Sequence, residues 1–225
     1  VVTAEEIENK ADAIMGTIMH NDSDPVVSTK KLLESGVHFG HQTRKWNPKM
    51  SKYIFGSKNG VHILDLTLTA AKLQEAYLAL KKIVADGGKV LFVGTKPQVR
   101  EVIQEEALRS GSFFVVNRWL GGTLTNFKTI QKRIRYLNDL KTMEEDGSFE
   151  NMPKKEAVLL RKEKEKLLKN LEGIAEMRKV PNAVVVVDPK LEHNAVLEAK
   201  KLNIPVFGLL DTNADPDELN YGIPA

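Results

Sequence analysis

No cysteine occurs among the 225 residues. Its absence excludes a disulfide framework, a zinc ribbon and a thiol nucleophile, and it suits a reducing compartment. No apolar run approaches the ~20 residues of a membrane span, so no membrane partner is expected. No G-x-G-x-x-G follows an apolar strand and no P-loop motif occurs, so the usual phosphate cradles of nucleotide enzymes are missing. No Ser–His–Asp arrangement can be read from the chain order. Asp211 to Asp215 begins like a calcium loop, but Pro216 and Gly222 stand where that loop needs Gly and Glu. The first residues carry Glu5, Glu6, Glu8 and Asp12 in place of the basic and apolar regions of a secretory signal. A cytoplasmic protein is expected.

What is present is an ordinary globular composition, 42% apolar and 28% charged. The length suits one domain, or one domain with an appendage. The net charge is +3, but it is unevenly spread. Residues 1–28 hold six acids against Lys10, net −5. Residues 29–58 hold seven bases against Glu34, net +6. Residues 211–225 hold four acids and no base, net −4. A basic segment thus lies between two acidic ones, and local fields of this kind guide polyanions to a surface.

Residues 3–19 read as an amphipathic helix opened by a Thr3/Glu6 capping box and ended by Asn21 to Pro25. Residues 1–28 are therefore expected to be an acidic extension on a linker. Apolar runs at His62–Leu66, Val90–Val93, Phe113–Val116, Ala183–Val187 and Val206–Leu210 read as five strands. Helical patterns lie over Thr69–Ala85, Gln98–Arg109 and 190–202, the last with Asp188 as N-cap and Pro189 at the first turn. Strands alternating with helices predict a parallel sheet with right-handed crossovers. The third and fourth strands are separated by about 65 residues. Phe127, Ile130, Ile134, Leu137 and Leu140 keep a three-four spacing, and so do Leu160, Leu167, Leu171 and Ile174. Two such stripes predict an antiparallel coiled-coil hairpin.

Three stretches carry the candidate chemistry. His38 to Met50 combines Arg44, Lys45 and Lys49 with Trp46, Gln42 and Asn47. Cations for phosphates, a stacking face and amide donors are what a folded RNA surface demands. The plainer reading is an exposed basic loop with Trp46 in the core. Arg118 to Lys128 follows a strand and opens a helix, with Gly121 and Gly122 between. Backbone amides there could approach an anion, or the glycines could simply serve a tight turn. Asp65, Asp188 and Asp211 fall near the ends of three predicted strands. They could converge on a metal or a phosphoryl group, or each could cap the turn that follows it.

The stretch from Gly36 through His38, Phe39, Gly40, His41, Gln42, Thr43, Arg44, Lys45, Trp46, Asn47, Pro48 and Lys49 to Met50 closely resembles the opening motif of the bacterial small-subunit ribosomal protein S2 family. Ile63 to Leu66, Leu91 to Lys96 and Arg118 to Phe127 resemble its further blocks. Pro181 to Pro205, with Asp188, Glu192, His193 and Glu198, resembles its second signature. The resemblance runs from about residue 29 to the end.

The resemblance implies a flavodoxin-like α/β fold, a doubly wound five-stranded parallel sheet with an inserted antiparallel coiled-coil hairpin. The expected parts are the extension 1–28, the sheet domain 29–126 with 180–225, and the hairpin 127–179. A last helix of the family would lie beyond Ala225. The implied role is a structural constituent of the small ribosomal subunit, not an enzyme. It would dock on ribosomal RNA near the head–body junction, help hold protein S1, and touch neighbouring small-subunit proteins. Arg44, Lys45, Trp46, Asn47, Lys49, Lys96, Arg118, Trp119, Gly121, Gly122, Asn126 and Lys128 are the expected RNA contacts. His41 and Asp211 match positions that can share a zinc ion, whose further acid ligand would lie beyond Ala225; no other cofactor is implied. The alternative function is a nucleotide- or phosphoryl-handling α/β enzyme using Asp65, Asp188 and Asp211.

Overall fold

A computed structural model describes residues 26–150 and 152–225. The helix expected over 3–19, and most of the expected extension, lie outside the described residues.

The first described helix, α1 (Thr29–Glu34), is capped by the Ser28 hydroxyl, which accepts from the Lys31 amide at 3.3 Å. Three short strands follow: β1 (Phe39–Gln42), β2 (Ile54–Lys58) and β3 (Val61–Leu64). They form an antiparallel sheet in the order β1-β3-β2. Asn59 and Gly60 join β2 to β3 with φ of 53° and 75°. A two-residue loop with both φ values positive is the hairpin geometry that Asn-Gly favours. The expectation that His62–Leu66 joins the parallel sheet is therefore corrected. No crossover helix precedes this strand; a tight turn folds it back on its predecessor.

The remaining elements are α2 (Leu66–Ala85), β4 (Val90–Val93), α3 (Arg100–Arg109), β5 (Phe113–Val115), α4 (Phe127–Glu145), α5 (Lys154–Leu171), β6 (Ala183–Val187), α6 (His193–Lys201), β7 (Val206–Leu210) and β8 (Tyr221–Pro224). Five strands form a parallel sheet in the order β5-β4-β6-β7-β8. Counted along the chain this is 2-1-3-4-5, the flavodoxin-like doubly wound order. The fifth member is β8, which the apolar patterning did not announce. It carries Gly222 and Pro224, and it lies at the sheet edge, where a missing amide costs no ladder bond.

Successive residues of the central strands face opposite layers. Val90 and Ala183 pack with Ala76, Leu73 and Leu80 of α2, while Ile103 and Ala107 of α3 cover Phe114 on the same side. Leu91, Val93, Val184 and Val186 face the other layer. There they meet Ala195, Val196 and Ala199 of α6 together with Ile130, Ile134 and Leu137 of α4. The three-four stripe of α4 is thus divided. Its first half is part of the core beside the sheet. Its second half pairs with α5 around Leu140, Phe149 and Ala157. The Tyr136 hydroxyl bonds Glu163 and Lys164 reaches Glu144 across the pair. Phe149 closes the turn between the helices and is fully buried.

The return from this arm passes through a 3-10 turn (Glu172–Ile174) beneath β5. A Cβ at Gly173 would collide with the Phe114 carbonyl oxygen, which belongs to the backbone and cannot yield as a side chain would. Gly173→Ala is expected to destabilise the fold by about 1–3 kcal/mol through overpacking. Urea unfolding measures it; a wild-type midpoint would contradict this close packing.

Candidate nucleic-acid interface

The carboxyl edge of a doubly wound sheet is where its loops gather, and ligands of such folds sit where the strand order reverses. Here the order reverses between β4 and β6. Gly94, Thr95 and Lys96 follow β4, and Asp188 follows β6. The Lys96 ammonium lies 2.6 Å from the Asp188 carboxylate. Glu192, almost wholly buried, accepts from the Thr95 amide at 2.9 Å and the Thr95 hydroxyl at 2.5 Å. The protein's own side chains thus join the two halves across the reversal point.

Asp188 does not cap a helix, contrary to expectation. It adopts φ 63°, a turn follows, and α6 starts at His193 with Glu192 as its N-cap residue. Asp65 does cap, accepting from the Thr67 amide at 2.9 Å ahead of α2. Asp211 accepts from the Thr212 amide at 2.6 Å and faces His41, whose Nδ1 lies 2.7 Å from its carboxylate. Each of the three aspartates has its own local partner. Among the described residues no group of three or more His, Asp or Glu could hold a metal ion. For zinc, which takes three or four protein ligands, His41 and Asp211 are two donors bonded to each other. Nε2 of His41 is also engaged, 3.2 Å from the Asn213 amide. Among the described residues these two donors do not by themselves make up a zinc centre.

The loop after β5 holds the most concentrated set of polar contacts. The Glu198 carboxylate of α6 reaches into it. One oxygen accepts from Trp119 Nε1 at 3.0 Å and the Gly122 amide at 2.8 Å. The other accepts from the amides of Leu124 and Thr125 at 2.9 and 3.0 Å, and from the Thr125 hydroxyl at 3.1 Å. Burial pushes the Glu198 carboxyl up, but these donors outweigh it and leave the group below the ordinary glutamate range. Of the two glycines expected to approach an anion, Gly122 donates its amide to the internal Glu198 carboxylate, while Gly121 is exposed. Gly122 supplies the required φ of +85°. Trp119 is 9% exposed and packs in the core.

The basic segment lies against the acidic one. The Asn47 amide donates to the Thr212 carbonyl at 2.8 Å, and the His41 amide to the Thr212 hydroxyl at 2.8 Å. The Lys49 ammonium sits 2.7 Å from Asp215 and 2.8 Å from Asp217, and hydrogen bonds to both raise its pKa well above the usual lysine range. The Asn47 side chain caps the 3-10 turn Pro48–Tyr53. The twelve expected contacts therefore divide. Asn47, Lys49, Lys96, Trp119 and Gly122 are engaged internally. Arg44, Lys45, Arg118, Gly121, Asn126 and Lys128 are exposed. The four cations of this second group have no carboxylate partner among the described residues. Trp46 is 38% exposed, its ring centroid 5.2 Å from that of His62.

Two features lay outside the sequence reading. One is the contact of Glu198, named above only within the second signature block, with Gly122: the two stand 76 residues apart with no local pattern to join them. In the other, Phe39 and Phe55 are 63% and 80% exposed, on β1 and β2 of the antiparallel sheet. The Asn-Gly turn after β2 was the available signal that Phe55 sits in a hairpin strand.

A family model described as ribosomal protein S2 matches residues 32–225. The chain belongs to the ribosomal protein S2 family. S2 is a small-subunit ribosomal protein, so this chain is a structural constituent of the ribosome with a role in translation. The match covers both sheets and the arm, from α1 to β8.

In this S2 chain the Glu198 contacts give a signed pH dependence. A carboxyl held below its unfolded value contributes stability that is complete above the unfolded pKa and is lost as the pH falls through the folded one. Glu198→Gln should cost about 1–3 kcal/mol near neutrality. The gap should close as the pH drops below the ordinary glutamate range. Thermal denaturation of both proteins across pH checks it; a pH-independent gap would contradict the charge-based role.

Proposed function

We propose that this S2 chain binds ribosomal RNA of the small subunit through Arg44, Lys45, Arg118 and Lys128. Trp46 stacks beside Arg44 and Lys45, and Gly121 and Asn126 are exposed in the loop that carries Arg118. The carrying observation is the division of the cations: Lys49 and Lys96 are neutralised internally, while these four remain exposed without carboxylate partners. A protein folded around RNA needs outward charge held on a rigid frame, since phosphate contacts supply affinity and position. The docking place near the head–body junction rests on the family resemblance.

We further infer that the outer face of the antiparallel sheet takes a protein. Phe39 and Phe55 are large aromatics left in solvent, with Ile63 paired opposite Phe39. Protein S1 is the partner implied for this family. The outer part of the inserted hairpin, around Leu140, Phe149 and Ala157, serves neighbouring subunit components.

Salt dependence tests the RNA reading. Log affinity for small-subunit ribosomal RNA should fall linearly with log salt. The double variant Arg44→Ala/Lys45→Ala should reduce that slope by about 1.5, as expected for two lost phosphate contacts. Lys49→Ala should leave the slope unchanged, because Asp215 and Asp217 already neutralise that charge. A flat salt dependence, or a larger slope change for Lys49 than for the double variant, would overturn the assignment.

A further inference from the structure

We propose that Glu198 is the positioning residue of the RNA-facing loop: an internal anion that closes the amide nest of residues 122–125 to phosphate and holds Arg118, Asn126 and Lys128 outward. The proposal deepens the RNA-binding reading and rests on it for its functional part.

The argument begins with the donors. Backbone amides converging just ahead of a helix are an arrangement that captures phosphate. Residues 122–125 have that form, and α4 begins two residues later. Yet every amide that points into the nest ends on Glu198. The Trp119 indole and Thr125 hydroxyl complete the set, so two oxygens receive five donors. Leu124 and Trp119 are buried, so water has poor access to replace the carboxylate. A neutral amide at 198 could not substitute, because its NH2 group would face N–H donors.

The consequence reaches both ends of the loop. Asn126, the N-cap residue of α4, makes no side-chain cap bond to the helix amides. The start of the arm is instead fastened to α6 through Glu198. Arg118 stands before the nest and Lys128 after it, and both are exposed. With its amides turned inward to Glu198, the loop offers an RNA side chains and no backbone donors from the nest. An emptied nest would relax the loop and draw in a small anion.

The test compares the full-length purified chain with Glu198→Ala and Glu198→Gln. Formate, with chloride at equal ionic strength as control, probes the nest. Formate should raise the thermal midpoint of Glu198→Ala and leave wild type and Glu198→Gln unmoved. Inorganic phosphate should shift the amide resonances of Gly122, Leu124 and Thr125 in Glu198→Ala but not in wild type. Affinity for small-subunit ribosomal RNA should fall about tenfold in both variants, as loss of charge-assisted hydrogen bonds implies, and formate should restore it in Glu198→Ala alone. Wild-type RNA affinity in both variants, or an equal formate response of wild type and Glu198→Ala, would overturn the proposal. If Glu198→Ala does not fold, Glu198→Gln decides through RNA affinity at unchanged circular dichroism. If wild type bound no RNA, the RNA reading would fall, and the formate and phosphate responses would still decide whether Glu198 closes the nest.

Discussion

The carboxylates at the carboxyl edge of the parallel sheet are engaged from within. Glu198 gathers the loop after β5, Glu192 holds Thr95, Asp188 pairs with Lys96, and Asp211 holds His41. Each of these contacts joins segments far apart in sequence, and together they bind the crossover loops to one another. In a doubly wound fold this edge is where a ligand crevice opens. Here internal side chains bridge the reversal point between β4 and β6. The architecture is that of many nucleotide-binding enzymes, but architecture does not dictate function; the site does.

A frame tied in this way suits a scaffold. Binding a large folded RNA costs less when the protein surface is already ordered. The charge pattern follows the same logic. The acidic stretch after β7 folds back on the basic stretch around β1, and Lys49 is the point of closest neutralisation. What remains outside is a smaller set of cations. The net charge of +3 therefore understates the contrast between an internally matched edge and an exposed basic surface. The antiparallel sheet contributes in a different currency, apolar area. Phe39 and Phe55 contribute nothing to the core that would explain their size.

Parts of this were legible in the sequence for definite reasons. Val90–Val93 and Ala183–Val187 are continuous apolar runs, the mark of strands buried on both faces. The arm announced itself through the spacing of Ile130, Ile134 and Leu137, although the same spacing concealed that these residues pack against the sheet as well as along the hairpin. β8 escaped because Gly222 and Pro224 are poor strand formers that only an edge tolerates. His62 pairs in the antiparallel sheet because the Asn59-Gly60 turn, which its apolar neighbours do not reveal, folds β3 back on β2. Asp188 followed by Pro189 looked like a cap, but a left-handed φ at Asp188 redirects the chain. At the loop after β5, Gly121 and Gly122 suggested amides aimed at an external phosphate or a tight turn; the amides of Gly122, Leu124 and Thr125 bond the protein's own Glu198. That residue comes from a helix distant in sequence, and no local pattern encodes such a meeting.

Sedimentation tests the central claim most directly. A lysate containing the tagged chain is resolved on a sucrose gradient and probed across the fractions. The account predicts that the chain travels with small ribosomal subunits at moderate salt and is released toward the top of the gradient as salt rises. A chain that stays at the top at every ionic strength, or that travels with particles lacking small-subunit RNA, would contradict it.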